Sequence, residues 1–132
     1  MNIAVIGSGL IGQAWAIVFA RAGLKVRLWD HDEHALGNAL KLVRQQLDEL
    51  QAQQLVEDAR KAMARITPAT SLKQALEGAD HAQENLPERL EVKREVFAAM
   101  DAAAAPDTIL ASSTSGIAAS AFTENLSGRH RC

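Results

Sequence analysis

Residues 2–30 read NIAVIGSGLIGQAWAIVFARAGLKVRLWD, and nearly everything else in the chain can be interpreted from them. Asn2 to Ile6 is a short apolar run rich in β-branched residues, the composition of a strand buried on both faces. Gly7-Ser8-Gly9-Leu10-Ile11-Gly12 follows. A helical pattern then runs through Ala22, with Ile11, Trp15, Val18, Phe19 and Ala22 on one face, and Gly23 stands where a helix-terminating glycine belongs. Lys25 to Trp29 reads as a second strand, and it ends in Asp30. Three glycines in a GxGxxG spacing are weak evidence alone. Here they lie between a strand and a helix, and an acid follows eighteen residues after Gly12 at the end of the next strand.

That context predicts a dinucleotide site. Gly7 allows the tight turn, Gly9 lets backbone approach a pyrophosphate, and Gly12 lets the helix pack close to the sheet. The helix N-terminus offers free N–H groups and roughly half a positive charge to the phosphates. Asp30 is placed to accept hydrogen bonds from the adenosine-ribose hydroxyls, whereas a 2′-phosphate would meet like charge with no Arg or Lys directly following. NAD is therefore favoured over NADP; His31 would assist the latter only when protonated. The bland alternative is an ordinary strand-to-helix turn.

The same segment has no charged residue from Met1 to Ala20, about the length of a membrane-spanning helix. It lacks a basic start, and its glycines interrupt the run at a spacing that suits a turn, so neither a signal peptide nor a span is expected. The 132 residues carry 14 Lys and Arg against 16 Asp and Glu, a net charge of −2, which argues against a generally basic nucleic-acid binder. One cysteine, Cys132, excludes a disulfide framework and a Cys-clustered zinc site; no metal site is expected. The composition is that of one cytoplasmic globular domain.

The remaining chain alternates helix and strand. A long helix is predicted from Asp32 to Leu55, with Leu36, Leu40, Val43, Leu47 and Leu50 forming one apolar stripe that packs on a neighbouring helix. A shorter helix, Val56 to Met63, leads to a weak strand at Ala64 to Thr67, and another short helix ends at Gly78. Asp80 to Leu86 reads as a strand of unusual polarity. Pro87 is expected to open a helix running to about Ala104, since its missing N–H is harmless at the first helical position. Thr108 to Ala111 is a clean strand, and a short helix is expected from Ile117 to Phe122. This order predicts an α/β fold with a doubly wound parallel sheet, cut before its usual sixth strand. Thr108 to Ala111 would then be an open, apolar edge.

The strings at 7–16, 83–88 (Gln-Glu-Asn-Leu-Pro-Glu) and 112–116 (Ser-Ser-Thr-Ser-Gly) together resemble the 3-hydroxyacyl-CoA dehydrogenase family. Within it they are most similar to the lambda-crystallin, L-gulonate 3-dehydrogenase and carnitine dehydrogenase branch. The resemblance implies an NAD enzyme, usually a homodimer, whose substrate is a small 3-hydroxy acid or a 3-hydroxyacyl-CoA oxidised to the ketone. It also implies that residues 1–132 are the NAD-binding domain and that a helical substrate and dimerisation domain lies outside them. Leu10 and Ile11 are thereby assigned to the pyrophosphate and Asp30 to the ribose. Glu88 and Lys93 match the acidic and basic pair near the nicotinamide; read without the family, they are solvated helix charges. Ser113 replaces an Asn often found in the acyl-CoA members. Ser115 matches the serine that hydrogen-bonds the reacting oxygen, and its plainer reading is an N-cap for the helix at Ile117.

The family's general base, a His before an Asn-Pro, has no match. His130 lies between Arg129 and Arg131 with no Asn-Pro after it and reads as a surface residue. Lys41 and Arg44 are positioned for a CoA phosphate in the acyl-CoA members, but a solvated face is the simpler reading. Two alternatives stand beside the dehydrogenase: a non-catalytic NAD-binding or crystallin-like structural protein, and an NADP-dependent β-hydroxyacid dehydrogenase, against which Asp30 and the 112–116 motif count.

Overall fold

A computed structural model describes residues 1–132. Five strands form one all-parallel sheet: β1 (Asn2–Ile6), β2 (Lys25–Trp29), β3 (Ile66–Pro68), β4 (His81–Glu84) and β5 (Ile109–Ser112), in the order β3-β2-β1-β4-β5. Parallel neighbours need crossovers, and here α1 (Leu10–Arg21), α2 (Glu33–Ala52), α3 (Ala59–Ala64), α4 (Leu72–Leu76) and α5 (Leu90–Ala103) provide them. A single turn of helix, α6 (Ser120–Thr123), and a 3₁₀ turn at Arg129–Arg131 follow β5.

Strand periodicity divides the core in two. Ile3 and Val5 of β1 join Val26, Leu28 and Ile66 under the first three helices, whereas Ala4 and Ile6 join Ala82 and Leu110 under α4, α5 and α6. The sheet is thus covered on both faces, and each fully buried aliphatic side chain contributes roughly 1.5–3 kcal/mol. Leu36, Val43 and Leu47 are buried against this core and Leu40 and Leu50 pack at its margin, so the α2 stripe is an internal seam. The charge-free start of the chain is divided among a strand, a loop and a helix, and no helix is long and apolar enough to cross a membrane.

The apolar face expected for α1 is corrected by the structure. Its buried residues are Gly12, Gln13, Ala16, Ile17 and Ala20, while Ile11 and Val18 are exposed. A Cβ on Gly12 would overlap the Gly7 carbonyl oxygen and lie 2.9 Å from its carbon. The helix therefore meets the sheet through its smallest residues, and the larger ones are turned aside. Trp15 and Phe19 stack on each other at 5.2 Å, half-buried.

Other boundaries also move. α5 begins at Leu90 with Arg89 as its N-cap, so Pro87 does not open it. Instead the backbone N–H of Leu86 is captured by the buried Glu84 carboxylate (2.5 Å), and Arg89 N bonds Pro87 O, which keeps residues 85–88 as a loop. The short helix expected from Ile117 begins only at Ser120, as α6; the turn before it is held by Thr114, whose Oγ1 accepts from Ile117 N at 3.3 Å. Pro68 ends β3, an edge strand where a missing donor does no harm. β5 is the other edge, pairing only with β4, and Ile109 is 53% exposed there.

Candidate functional site: a dinucleotide crevice at the ends of β1, β2, β4 and β5

The register brings the C-terminal ends of four strands to one level. Ile6 lies opposite both Trp29 and Glu84, and Glu84 lies opposite Ser112. The ladder extends one residue further through Gly7 N to Trp29 O, Asn85 N to Ile6 O and Ser113 N to Glu84 O, each at 2.8 Å. Gly7, Asp30, Asn85 and Ser113 therefore emerge side by side. Because chain order reverses between β1 and β4, this is the topological switch point at which open α/β sheets bind ligands.

Gly7 has φ +95°, and a Cβ there would lie 3.0 Å from the Asn85 carbonyl oxygen, so the turn requires glycine twice over. Gly9, the N-cap of α1, has open space where a Cβ would be. Leu10 and Ile11 are exposed at the same helix end. A cleft of about 380 Å³ is lined by Gly7, Ser8, Gly9, Asp30, His31, Ala35, Asn85, Leu86 and Pro87. This cradle fits a dinucleotide. The α1 N-terminus and the bare Gly9 face the cleft, and the carboxylate of Asp30 closes one end.

Asp30 is held firmly. Its Oδ2 accepts from Ser8 N (2.8 Å) and Ser8 Oγ (2.7 Å), its Oδ1 accepts from Asp32 N (3.0 Å), and His31 Nδ1 lies 3.2 Å away. Burial pushes the carboxyl upward, but those hydrogen bonds, with the His31 charge, outweigh it and leave Asp30 below the usual carboxylate range. The acid is thus ionised at neutral pH, as ribose binding requires. Of the two side-chain partners, the Ser8 hydroxyl is buried, and the exposed His31 ring is the one open to exchange.

On the other side of the switch point, the loop after β5 is tied to the loop after β4. Glu88 accepts from Thr114 Oγ1 (2.5 Å), Ser115 N (3.1 Å) and, more loosely, Ser115 Oγ (3.5 Å). The Thr114 hydroxyl, then the Ser115 amide, with help from the Lys93 charge, hold the Glu88 carboxyl below its ordinary value. Ser115 is exposed and caps no helix, which corrects its plainer reading. Its hydroxyl sits beside the Glu88 carboxylate.

Two further residues behave differently from the sequence reading. Lys93 is not a solvated helix charge, nor is Glu88 its hydrogen-bonding partner. It is 1% exposed, and its Nζ bonds both oxygens of Glu84 at 3.2 and 3.0 Å. The Ser113 hydroxyl donates to Asn85 Oδ1 (2.6 Å) and accepts from Trp15 Nε1 (3.0 Å) and Gln83 Nε2 (2.9 Å). A hydroxyl has one proton and two lone pairs, so Ser113 is saturated, and a cofactor contact by its side chain must displace one of these bonds. Glu84, Gln83 and Asn85 were missed as site-forming residues. The signal was present in the polarity of their strand, which an interior position tolerates only with partners.

No histidine completes the site. His81 begins β4, at the opposite end of the sheet, and bonds Gln83; His31 and His34 lie on the adenosine side; His130 is exposed in the 3₁₀ turn. Lys41 and Arg44 are exposed on α2.

Strand order, glycine turn and acidic β2 terminus together define a doubly wound dinucleotide-binding domain. The family described as 3-hydroxyacyl-CoA dehydrogenase, NAD binding domain, matches residues 2–132, and the chain belongs to that family. Its cofactor is NAD. Similar proteins include the lambda-crystallin homolog of Bos taurus, 37% identical over 99% of this chain and 42% of its own length. The L-carnitine dehydrogenase of a Pseudomonas species is 38% identical over 99% of this chain and 40% of its own length. The crystal structure of 3-hydroxybutyryl-CoA dehydrogenase from Escherichia coli superposes with a TM-score of 0.92 at 32% identity, covering 99% of this chain and 28% of that one. The chain spans less than half the length of these relatives.

Proposed function

We propose that this chain is the cofactor-holding half of an oxidoreductase that oxidises a 3-hydroxyl to a ketone on a small 3-hydroxy acid or a 3-hydroxyacyl-CoA. The observation that carries the reading is that one end of the sheet holds the cleft with the glycine cradle and the ionised Asp30, and beside it the β4 and β5 loops joined by Glu88 and Ser115. Gly7, Gly9, Leu10, Ile11 and Gly12 present backbone to the pyrophosphate. Asp30 takes the adenosine ribose in place of His31 and repels a 2′-phosphate, giving NAD over NADP. Glu88, Lys93 and the Ser113 backbone border the nicotinamide end. Ser115 Oγ hydrogen-bonds the reacting oxygen, with Glu88 fixing the loop that carries it. When bound, NAD supplies the hydride acceptor for alcohol oxidation. No histidine lies at the nicotinamide end to take the hydroxyl proton, so the general base comes from a further helical unit. That unit also supplies substrate contacts and the surface of a homodimer. The greater length of the relatives supports this division.

The test is a titration with NADH and, separately, NADPH, following tryptophan fluorescence. Trp15 hydrogen-bonds Ser113 and Trp29 ends β2, so both report on the crevice. Micromolar NADH binding with much weaker NADPH binding is expected; equal affinity for the two, or no binding, overturns the proposal. The likeness to lambda-crystallin homologs favours a second reading, a NAD-binding protein without catalysis. Absence of any turnover when residues 1–132 are joined to a substrate domain of a carnitine dehydrogenase, with NADH binding intact, would select it.

A further inference from the structure

The Glu84–Lys93 pair sits beneath the nicotinamide end, and the site as described gives Glu84 no role. Glu84 is 0% exposed and Lys93 1%. The Glu84 carboxylate accepts four bonds from three donors: Lys93 Nζ at both oxygens, Leu86 N at Oε1 (2.5 Å) and Ser112 Oγ at Oε2 (2.5 Å). These donors come from three separate segments: α5, the loop after β4, and the end of β5. The same three segments carry, within a few residues, every group assigned to the nicotinamide end. Leu86 leads to Glu88, Ser112 leads to Ser113 and Ser115, and Lys93 lies one turn beyond the α5 N-cap. Ser112 Oγ also accepts from Thr114 N at 3.1 Å, so the chain of bonds runs from Glu84 through Ser112 into the loop bearing Ser115.

Stability alone is a poor reason for this arrangement. A buried ion pair contributes little net stability, because desolvating both charges offsets most of their attraction, and apolar pairs of similar volume commonly serve as well. What an apolar pair cannot do is fix three segments in register through directional bonds. A carboxylate with all four lone-pair positions filled sets the spacing of its donors to within a few tenths of an ångström.

Resting on the cofactor reading above, we infer that Glu84 and Ser112 are positioning residues for the nicotinamide half of the site. They hold the Leu86–Glu88 and Ser112–Ser115 loops at the separation the ring requires, and have no part in holding the adenosine half. Asp30, Ser8 and the glycine turn bond none of these groups, so the two halves separate experimentally.

The experiment compares NADH with ADP-ribose, which lacks the nicotinamide, by calorimetric titration of the 132-residue chain. In the unaltered chain NADH is expected to bind more tightly than ADP-ribose. Ser112→Ala, at a half-exposed position, removes two bonds of the network, the one to Glu84 and the one from Thr114 N, and leaves the buried ion pair intact, so the fold survives. It should shrink the NADH advantage by about fivefold to tenfold, the loss of one charge-assisted and one neutral hydrogen bond acting indirectly, with ADP-ribose affinity unchanged. Glu84→Met/Lys93→Met removes the whole network while leaving no buried charge unpaired, and should bring the two ligands to nearly equal affinity. A merely structural role would weaken both ligands together or neither, and either result in Ser112→Ala overturns the inference. Equal affinity of the unaltered chain for NADH and ADP-ribose would overturn it too, leaving the cofactor reading standing. Binding of neither ligand would remove both.

Discussion

Adding one methyl group at Gly12 or at Gly9 should have opposite consequences, although both glycines belong to the same motif. The Cβ of Gly12→Ala would overlap the Gly7 carbonyl oxygen and lie 2.9 Å from its carbon and 3.7 Å from Val5 Cγ1. The obstruction is backbone in a tight turn, so relief requires α1 to lift from the sheet by on the order of 1 Å, breaking its contact along Gly12, Ala16 and Ala20. Overpacking of this kind costs roughly 1–3 kcal/mol, and the immovable partner puts the expected loss at about 2–4 kcal/mol. For a chain of this size that lowers Tm by about 7–14 °C. Gly9→Ala meets nothing within 4 Å, and its φ of −66° suits any residue. The reduced freedom of the unfolded chain stabilises it by about 0.4–1 kcal/mol, and a poorer N-cap offsets a similar amount. Tm should therefore stay within about 2 °C, yet the methyl occupies the space through which backbone meets pyrophosphate, and NADH affinity should fall about tenfold or more. Thermal denaturation and NADH titration of the two variants decide the matter. A Gly12→Ala protein as stable as the unaltered chain, or a Gly9→Ala protein with unchanged NADH affinity, would refute the reasoning.

Asp30→Ala should weaken NADH about tenfold or more and narrow the gap to NADPH, since a charge-assisted acceptor and a like-charge barrier are lost together; parallel titrations check it. Asp30 and Asp101, the latter held low first by the Arg131 hydrogen bond, both have folded-state values below the ordinary one. Their contribution to stability is present above about pH 4 and is lost as pH falls through the lower folded values. Urea midpoints measured against pH should decline there, and less steeply in Asp101→Asn. Lys93→Met alone strands the buried Glu84 charge and should cost about 3–5 kcal/mol, most of it recovered in Glu84→Met/Lys93→Met; an additive loss in the double variant would contradict this. The free edge at β5 should pair with other edges at high concentration, giving oligomers by light scattering that Ile109→Lys suppresses.

Residues 2–30 alone determined the strand, turn, helix and strand, the acid at the second strand's end, and with them the place and kind of ligand. Such features are local: a positive φ, a helix N-terminus and an alternating pattern are each written within a few neighbouring residues. The later alternation of strands and helices determined the doubly wound class in the same way. Tertiary structure alone decided which face of α1 is buried, because Gly7 and Gly12 approach so closely that large residues at Ile11 and Val18 have nowhere to go. It alone decided that Pro87 belongs to a loop, since a proline before a helix and one in a turn look alike until a buried carboxylate claims the amide of the residue before it. It also reassigned Lys93 to Glu84 and filled the Ser113 hydroxyl from Trp15, Gln83 and Asn85. Those partners lie 9 to 98 residues away along the chain, and a polar side chain's role depends on which of its bonds the folded sheet leaves free.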